Sequence, residues 1–378
     1  MAKYIFDHDK LRLAISLAKI IKPESGDYCF SFSSNKLTIF SFDRRRYVCS
    51  SVLSENIGEI DTSFKSNEYY INASRLSLFD SDLTSIVISI NDKSMSISCS
   101  GDFQKRNVNL KRKNSKSKRK QVPLIPSYES VSINSKDFEQ LLTQVSCSAL
   151  IKETKTIEEM RINQVHFYSG EDYACSSARY YGTTVYLSGI GLDLSIVASD
   201  IPAIKRFCAE VISDSIEICQ DKHHLYIIDQ GSGSFLAVSR VSCKKPTLSI
   251  LDPDGFRVLI IADHIQLLKN LEWAELAIEG TQRITFKANK VNDSSNNGLV
   301  SLYSGSSELS TFPISFLKGD SIIADFPVSY FISIVKYIEG MVLLGFNHEE
   351  ADTILGIFAN NNDSNVKYTH YLQSMRSR

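Results

Sequence analysis

A pattern that recurs about every 127 residues constrains this 378-residue chain more than any single motif. Each copy opens with a short apolar strand that runs into an amphipathic helix. The first opening is Tyr4-Ile5-Phe6-Asp7, followed by His8-Asp9-Lys10-Leu11-Arg12-Leu13-Ala14-Ile15. The second is Val131-Ser132-Ile133-Asn134, followed by Ser135 to Leu142, and the third runs from Val258 to Asp263 and on through His264 to Leu268. A later block also recurs, as Tyr70-Ile71-Asn72-Ala73-Ser74-Arg75-Leu76, Ser199-Asp200-Ile201-Pro202-Ala203 and Ala324-Asp325-Phe326-Pro327-Val328. Proline loses no needed hydrogen bond at a helix start, so Pro202 and Pro327 mark helix beginnings, with Asn72, Asp200 and Asp325 as the expected caps.

Between the helices, apolar and polar residues alternate. Ile86 to Asn91, Ser94 to Cys99, Ser215 to Cys219 and Leu225 to Ile228 read as strands, joined at Asn91–Lys93, Gln220–Lys222 and Gly231–Ser234 by hairpin turns. The expected class is α+β, three repeated domains of two helices on antiparallel sheet. Their boundaries fall at 1–126, 127–247 and 248–378, with a basic insertion at 111–120 in the first.

Charge and cysteine usage narrow the function classes. The net charge is −1, yet Lys111 to Lys120 alone carries seven basic residues, so the rest of the chain is acidic. A block of like charges repels itself and is expected to be a loop. Hydrophobic content of 43% suits a globular protein, and no apolar run approaches the ~20 residues that cross a bilayer. The opening residues lack the apolar core of a signal peptide, so a cytoplasmic, nucleoid-associated location is expected. The eight cysteines form no CxxC pair and are expected to be reduced core residues.

The threefold pattern resembles the bacterial-type DNA polymerase sliding clamp, the β-subunit processivity factor, along nearly the whole chain. Before the third copy, Asp252-Pro253-Asp254-Gly255-Phe256-Arg257-Val258 is similar to the family's F-P-D-Y-R-R-V. Ile125-Pro126-Ser127-Tyr128 resembles its F-P-x junction, and Met160-Arg161-Ile162-Asn163-Gln164-Val165-His166-Phe167 its Y-L-N-G strand. The chain departs from the family at Ser177-Ala178-Arg179-Tyr180-Tyr181-Gly182, where T-D-G-H-R is usual, and at Gln373-Ser374-Met375-Arg376, where M-P-M-R-L is usual.

The resemblance implies a homodimeric ring with helices lining the hole, which encircles duplex DNA without reading sequence. Its partners would be a replicative DNA polymerase and a clamp loader. No cofactor is implied, and ATP would belong to the loader. Such a lining needs Lys and Arg to neutralise phosphates. In the first helix Leu11, Ala14, Ile15, Ala18 and Ile21 share one face, while Arg12, Ser16 and Lys19 share another. With Lys22, Lys152, Lys155, Lys205, Arg206, Lys269 and Lys336 they make up the expected DNA-facing set. The equivalent stripe of the second copy, Glu139, Thr143 and Ser146, is less basic. The resemblance also implies a groove for partner peptides between the second and third copies. Its expected members are Ile162, Arg179, Tyr180, Tyr181, Gly182, Pro253, Val258, Tyr371, Leu372, Met375 and Arg376.

Other chemistry is thinly supported. Asp7-His8-Asp9 precedes a helix, where Asp is expected to cap. His223-His224 lacks metal-ligand spacing, and Gly231 to Phe235 opens no helix that could cradle a phosphate. No GxSxG, Walker or HExxH motif occurs. An interaction hub or transcription co-activator, a strand-rich structural or receptor-binding protein, and a nucleic-acid hydrolase remain as alternatives.

Overall fold

The computed structural model describes residues 2–33, 35–57, 68–79, 85–91, 94–100, 105–111, 123, 125, 130–149, 163–168, 170, 172–177, 181–242, 245, 253–278, 283–292, 294–338, 340–348, 353–359 and 366–374. Within them one order of elements runs three times: a strand, a helix, three strands, a further strand, a helix or 3-10 turn, and three strands, the first copy adding the two-residue strand Asn56–Ile57. The α-helices are α1 (His8–Lys19), α2 (Ser135–Ser146), α3 (Ile201–Glu210), α4 (His264–Ala277) and α5 (Val328–Val335).

Each copy's first helix starts at a side-chain cap. Asp7 accepts from the Lys10 N–H at 2.9 Å, Asn134 from Lys136 at 2.9 Å, and Asp263 from Gln266 at 2.9 Å. The second block is less regular. In the first copy it is a 3-10 helix, Ala73–Phe79, rather than an α-helix; Asn72 caps it, accepting from the Ser74 N–H at 3.1 Å. Asp200 closes a 3-10 turn, Ala198–Asp200, that leads into α3. Asp325 is not a cap. It lies in strand Ser321–Pro327, where its carboxylate accepts from Thr285 Oγ1 at 2.6 Å, and Pro327 stands at the α5 N-cap without a side-chain bond.

The chain divides into two compact units, residues 1–139 with 202–240 and residues 140–201 with 241–378. The first holds a five-stranded and an eight-stranded sheet. In the latter, strands of the second copy join those of the first where Ser234–Ser239 pairs antiparallel with Arg46–Leu53. Leu11, Ala14, Ile15 and Ala18 of α1 enter a core with Tyr4, Phe6, Phe30, Phe79, Ile86 and Ile97. Ile21 is buried but lies beyond the end of α1. Each fully buried Leu, Ile or Phe side chain there contributes roughly 1.5–3 kcal/mol of transfer free energy.

The second unit holds a twelve-stranded sheet. Tyr181–Leu187 from the second copy pairs along its whole length with Val366–Gln373 from the third. Its core packs α4 and α5 on Val258, Ile260, Phe286, Phe326, Phe346 and Leu372. The seven described cysteines are free thiols, six of them buried.

Candidate nucleic-acid interface and partner groove

The expected DNA-facing residues of the first unit gather on α1 and α3. Arg12 and Lys22 are exposed, and Ser16, Lys19 and Lys205 are half-buried. Ser16 Oγ donates to Glu210 Oε2 at the end of α3, which brings the two helices together. Glu210 also holds Arg206, Nε to Oε1 at 2.8 Å across one helical turn. Arg206 is therefore an ion-paired cation, because the same carboxylate serves both helices. In the second unit, Lys336 lies 4.7 Å over the Tyr337 ring. Lys269 is exposed on α4, on a surface it shares with Glu272, Glu275, Ile265, Trp273 and Leu276. That surface is apolar and acidic, unlike the basic lining expected from the first helix. Lys152 and Lys155 lie outside the described residues.

The expected groove residues that are described all fall in the second unit, but their side chains divide between the two faces of its sheet. Tyr181, Val258 and Leu372 point into the core on the helix side. Val258 and Leu372 are fully buried there, so within the single chain they support the groove from beneath. Tyr181 stacks on Tyr330 of α5, with centroids 4.3 Å apart and planes at 28°. Burial, and then the neighbouring Tyr330, push the Tyr181 phenol up to about 12.

Gly182 and Tyr371 are paired across the strands, on the opposite face. A Cβ at Gly182 would sit 2.1 Å from Tyr371 Oη, so the tyrosine ring lies directly over the glycine backbone. On its other side Tyr371 pairs with Gly356, which pairs with Gly345. Phe256 covers these two, and a Cβ on either would meet its ring at 2.6–2.7 Å. Three glycines in one cross-strand row thus let Tyr371 and Phe256 lie flat on the sheet. Phe256 follows the 3-10 turn Pro253–Gly255 and packs on Leu259 and Phe358. Ile162, Arg179, Tyr180, Met375 and Arg376 lie outside the described residues.

Beneath this surface runs a buried polar chain whose hydrogen-bond directions follow from one fixed point. Gln144 Nε2 donates to the Tyr337 carbonyl at 2.8 Å, which leaves Gln144 Oε1 as an acceptor. His370 Nε2–H then donates to it at 3.2 Å, and His370 Nδ1 accepts from Thr183 Oγ1 at 2.7 Å. Thr183 in turn accepts from Ser148 Oγ at 2.5 Å. Burial pushes the His370 imidazole down to about 3, so it is neutral at physiological pH. The chain ties α2 and the segment after α5 to the paired strands Tyr181–Leu187 and Val366–Gln373.

Sequence reasoning missed Tyr330, Phe256, Gly345, Gly356 and the polar chain. Tyr330 stands beside the recognised Pro327, so its proximity to a helix start was readable; its stack on Tyr181 depends on tertiary packing. Among the described residues no group of three or more His, Cys, Asp or Glu side chains is placed to hold a metal ion.

No known family profile matches the chain, and no curated protein sequence does. Solved structures do match over its full length. The DNA polymerase III β subunit of Thermotoga maritima superposes with a TM-score of 0.77 at 12% identity, covering all of both chains. A Pseudomonas aeruginosa sliding clamp bound to griselimycin gives 0.78 at 13%, and the DNA polymerase III β chain of Streptococcus pneumoniae 0.78 at 14%, each again covering both chains entirely. The chain has the fold of these clamps.

Proposed function

We propose that this protein is a DNA sliding clamp, a non-catalytic processivity factor that closes around duplex DNA and tethers a replicative DNA polymerase. The observation that carries this reading is the end-to-end correspondence of a threefold-repeated chain with DNA polymerase III β subunits. The repeats 1–126, 127–247 and 248–378 would be its domains, a clamp loader would place it on DNA, and it would act in the cytoplasm.

Dimerisation has support within the chain itself, because α4 exposes a position that its equivalents in the other two repeats bury. Counted from their caps, Leu17, Gln144 and Trp273 are equivalent residues of α1, α2 and α4. Leu17 is 0% exposed and Gln144 3%, whereas Trp273 is 60% exposed, with Leu276 beside it at 84%. Beside Leu17, Ser16 reaches α3 of the following repeat, and Gln144 reaches the carbonyl after α5 of the following repeat. Trp273 has no such cover among the described residues. An exposed Trp–Leu pair on one helix is costly to leave in water and marks an interface.

The strands repeat the argument. Arg46–Leu53 and Tyr181–Leu187 each pair with the last strand of the next repeat. Their counterpart Ser307–Lys318 pairs with Asn297–Ser304 on one side and, on the other, meets Val258–Asp263 only at 315–318, and the last strand of the first repeat, Lys105–Lys111, is a sheet edge among the described strands. A second copy placed head to tail would supply each missing neighbour, and two copies would close the ring.

The Tyr371, Gly182 and Phe256 face, with Pro253 at its margin, would receive an extended polymerase or loader segment, using aromatic rings as anchors. The deciding experiment loads the protein onto nicked circular DNA and then linearises the circle. Retention on the circle with release on linearisation is the expected result. Equal retention on both would overturn the topological reading.

A further inference from the structure

Two tight turns at one end of the eight-stranded sheet are built to the same plan, and neither enters the proposal above. In Asp43-Arg44-Arg45-Arg46, Asp43 Oδ1 accepts from the N–H groups of Arg45 and Arg46, each at 2.8 Å. Asp43 Oδ2 holds the Arg46 guanidinium at 2.8 and 2.5 Å. In Asp221-Lys222-His223-His224, Asp221 Oδ1 accepts from the N–H groups of His223 and His224, each at 2.6 Å, and Oδ2 accepts from Tyr226 Oη at 2.8 Å. Each turn thus directs its one carboxylate inward and carries basic residues at the three positions that follow. The backbone bonds of each turn need only its Asp; of the bases, the Arg46 side chain also holds Asp43, while those of Arg44 and Lys222 bond to neither Asp.

The turns are neighbours, joined by the end of strand Ser234–Ser239. The Ser239 N–H donates to the Arg45 carbonyl at 2.8 Å and the Arg240 N–H to the His223 carbonyl at 2.7 Å. The ridge also meets the end of α1. Ser41 Oγ donates to the Ala18 carbonyl at 2.7 Å, and Arg44 Nε lies 2.8 Å from Glu24 Oε1. Arg44, Arg45, Arg46, Arg240 and Lys222 outnumber the carboxylates among them, Glu24, Asp43 and Asp221. At ~4.8 Å per strand, five adjoining strand ends cover about 20 Å, a length over which duplex DNA presents many phosphates at one charge per ~1.7 Å.

We infer that this ridge is a phosphodiester-backbone contact for duplex DNA, continuous with Lys19 and Lys22 at the end of α1. It rests on the clamp reading for its partner and adds a second contact surface outside the helices. A single strand fits less well, because the nearest aromatic faces are already occupied. Phe42 and Tyr47 stack on each other at 6.0 Å, and His224 meets Tyr47 edge-on at 6.0 Å, leaving no open platform for unstacked bases.

Fluorescence anisotropy with a labelled duplex of about 30 base pairs, and with one of its strands alone, tests this between ~50 and ~200 mM NaCl. The full chain is compared with Arg44→Gln/Lys222→Gln, with Lys222→Gln alone, and with Lys367→Gln as a charge-matched control. Removing a phosphate contact flattens the plot of log affinity against log salt by about 1, so the double variant should flatten it by about 2 and the single by about 1. Duplex affinity should drop on the order of tenfold for the double variant, with the control at the parent value and all far-ultraviolet circular dichroism spectra alike. Parent binding to duplex with unchanged slopes in both variants would overturn the ridge and leave the clamp reading standing. A loss confined to the single strand would overturn the duplex assignment. Absence of any duplex affinity in the parent would count against the clamp reading itself.

Discussion

Lowering the pH from 7 to 5 sets a proton against the buried chain that runs from Ser148 to Tyr337. His370 is fully buried, and both its nitrogens are committed, Nδ1 as an acceptor from Thr183 and Nε2–H as a donor to Gln144. Protonation would place a second donor against the Thr183 hydroxyl and a charge among apolar neighbours. Burial accordingly lowers the imidazole from 6.5 to about 3. Because the folded value lies below the unfolded one, the unfolded chain binds the proton first. The stabilisation is complete above pH 6.5 and is lost progressively as pH falls from there toward 3. At pH 5 the unfolded imidazole is almost fully protonated and the folded one is not, which costs the folded state about 2 kcal/mol relative to pH 7. Denaturant titrations followed through Trp273, the chain's single tryptophan and a member of the same unit, measure the loss. His370→Gln is the comparison, since the carboxylates titrate in both proteins and cancel. The variant should be less stable at pH 7 by about 1–3 kcal/mol, as the network is disrupted, and should lose about 2 kcal/mol less than the parent on acidification. Parallel losses in the two proteins would refute a neutral, doubly bonded imidazole.

Three further outcomes follow. Trp273→Glu should convert a dimer to a monomer in size-exclusion chromatography with light scattering, weakening association at least a hundredfold, while the circular dichroism stays that of the parent. Arg12→Glu with Lys19→Glu should reduce retention on nicked circular DNA without lowering the melting temperature; unaltered retention would remove these residues from the lining. Gly182→Ala should drive the Tyr371 ring off the strand and cut polymerase stimulation on a primed circle about tenfold or more, on the reasoning that aromatic anchors dominate such grooves.

The repeat was legible because it is written in local terms. Caps at Asp7, Asn134 and Asp263 each sit beside the helix they begin. Asp325 was misread for the same local reason: an Asp before a proline suits a cap, but Thr285 and Arg283, some forty residues earlier, hold its carboxylate in a strand. The i, i+4 spacing of Arg206 and Glu210 could have exposed their ion pair. The Ser16 bond to Glu210 spans 194 residues and could not be read from the sequence. The groove fared similarly. Gly182 and Tyr371 were each singled out, but that one lies on the other, with Gly356 and Gly345 extending the row, depends on strand register. Trp273 gave no warning either, since its equivalents Leu17 and Gln144 are buried and its own exposure depends on which elements pack over α4.

The long pairing of Tyr181–Leu187 with Val366–Gln373 also bears on how the chain is made. Thr183 leaves the ribosome 187 residues ahead of His370, its neighbour in the finished sheet. Throughout that interval the earlier strand has one side bare, a template for any extended segment that passes. Synthesis must outrun that hazard, or a chaperone must shield it, before the second unit can close.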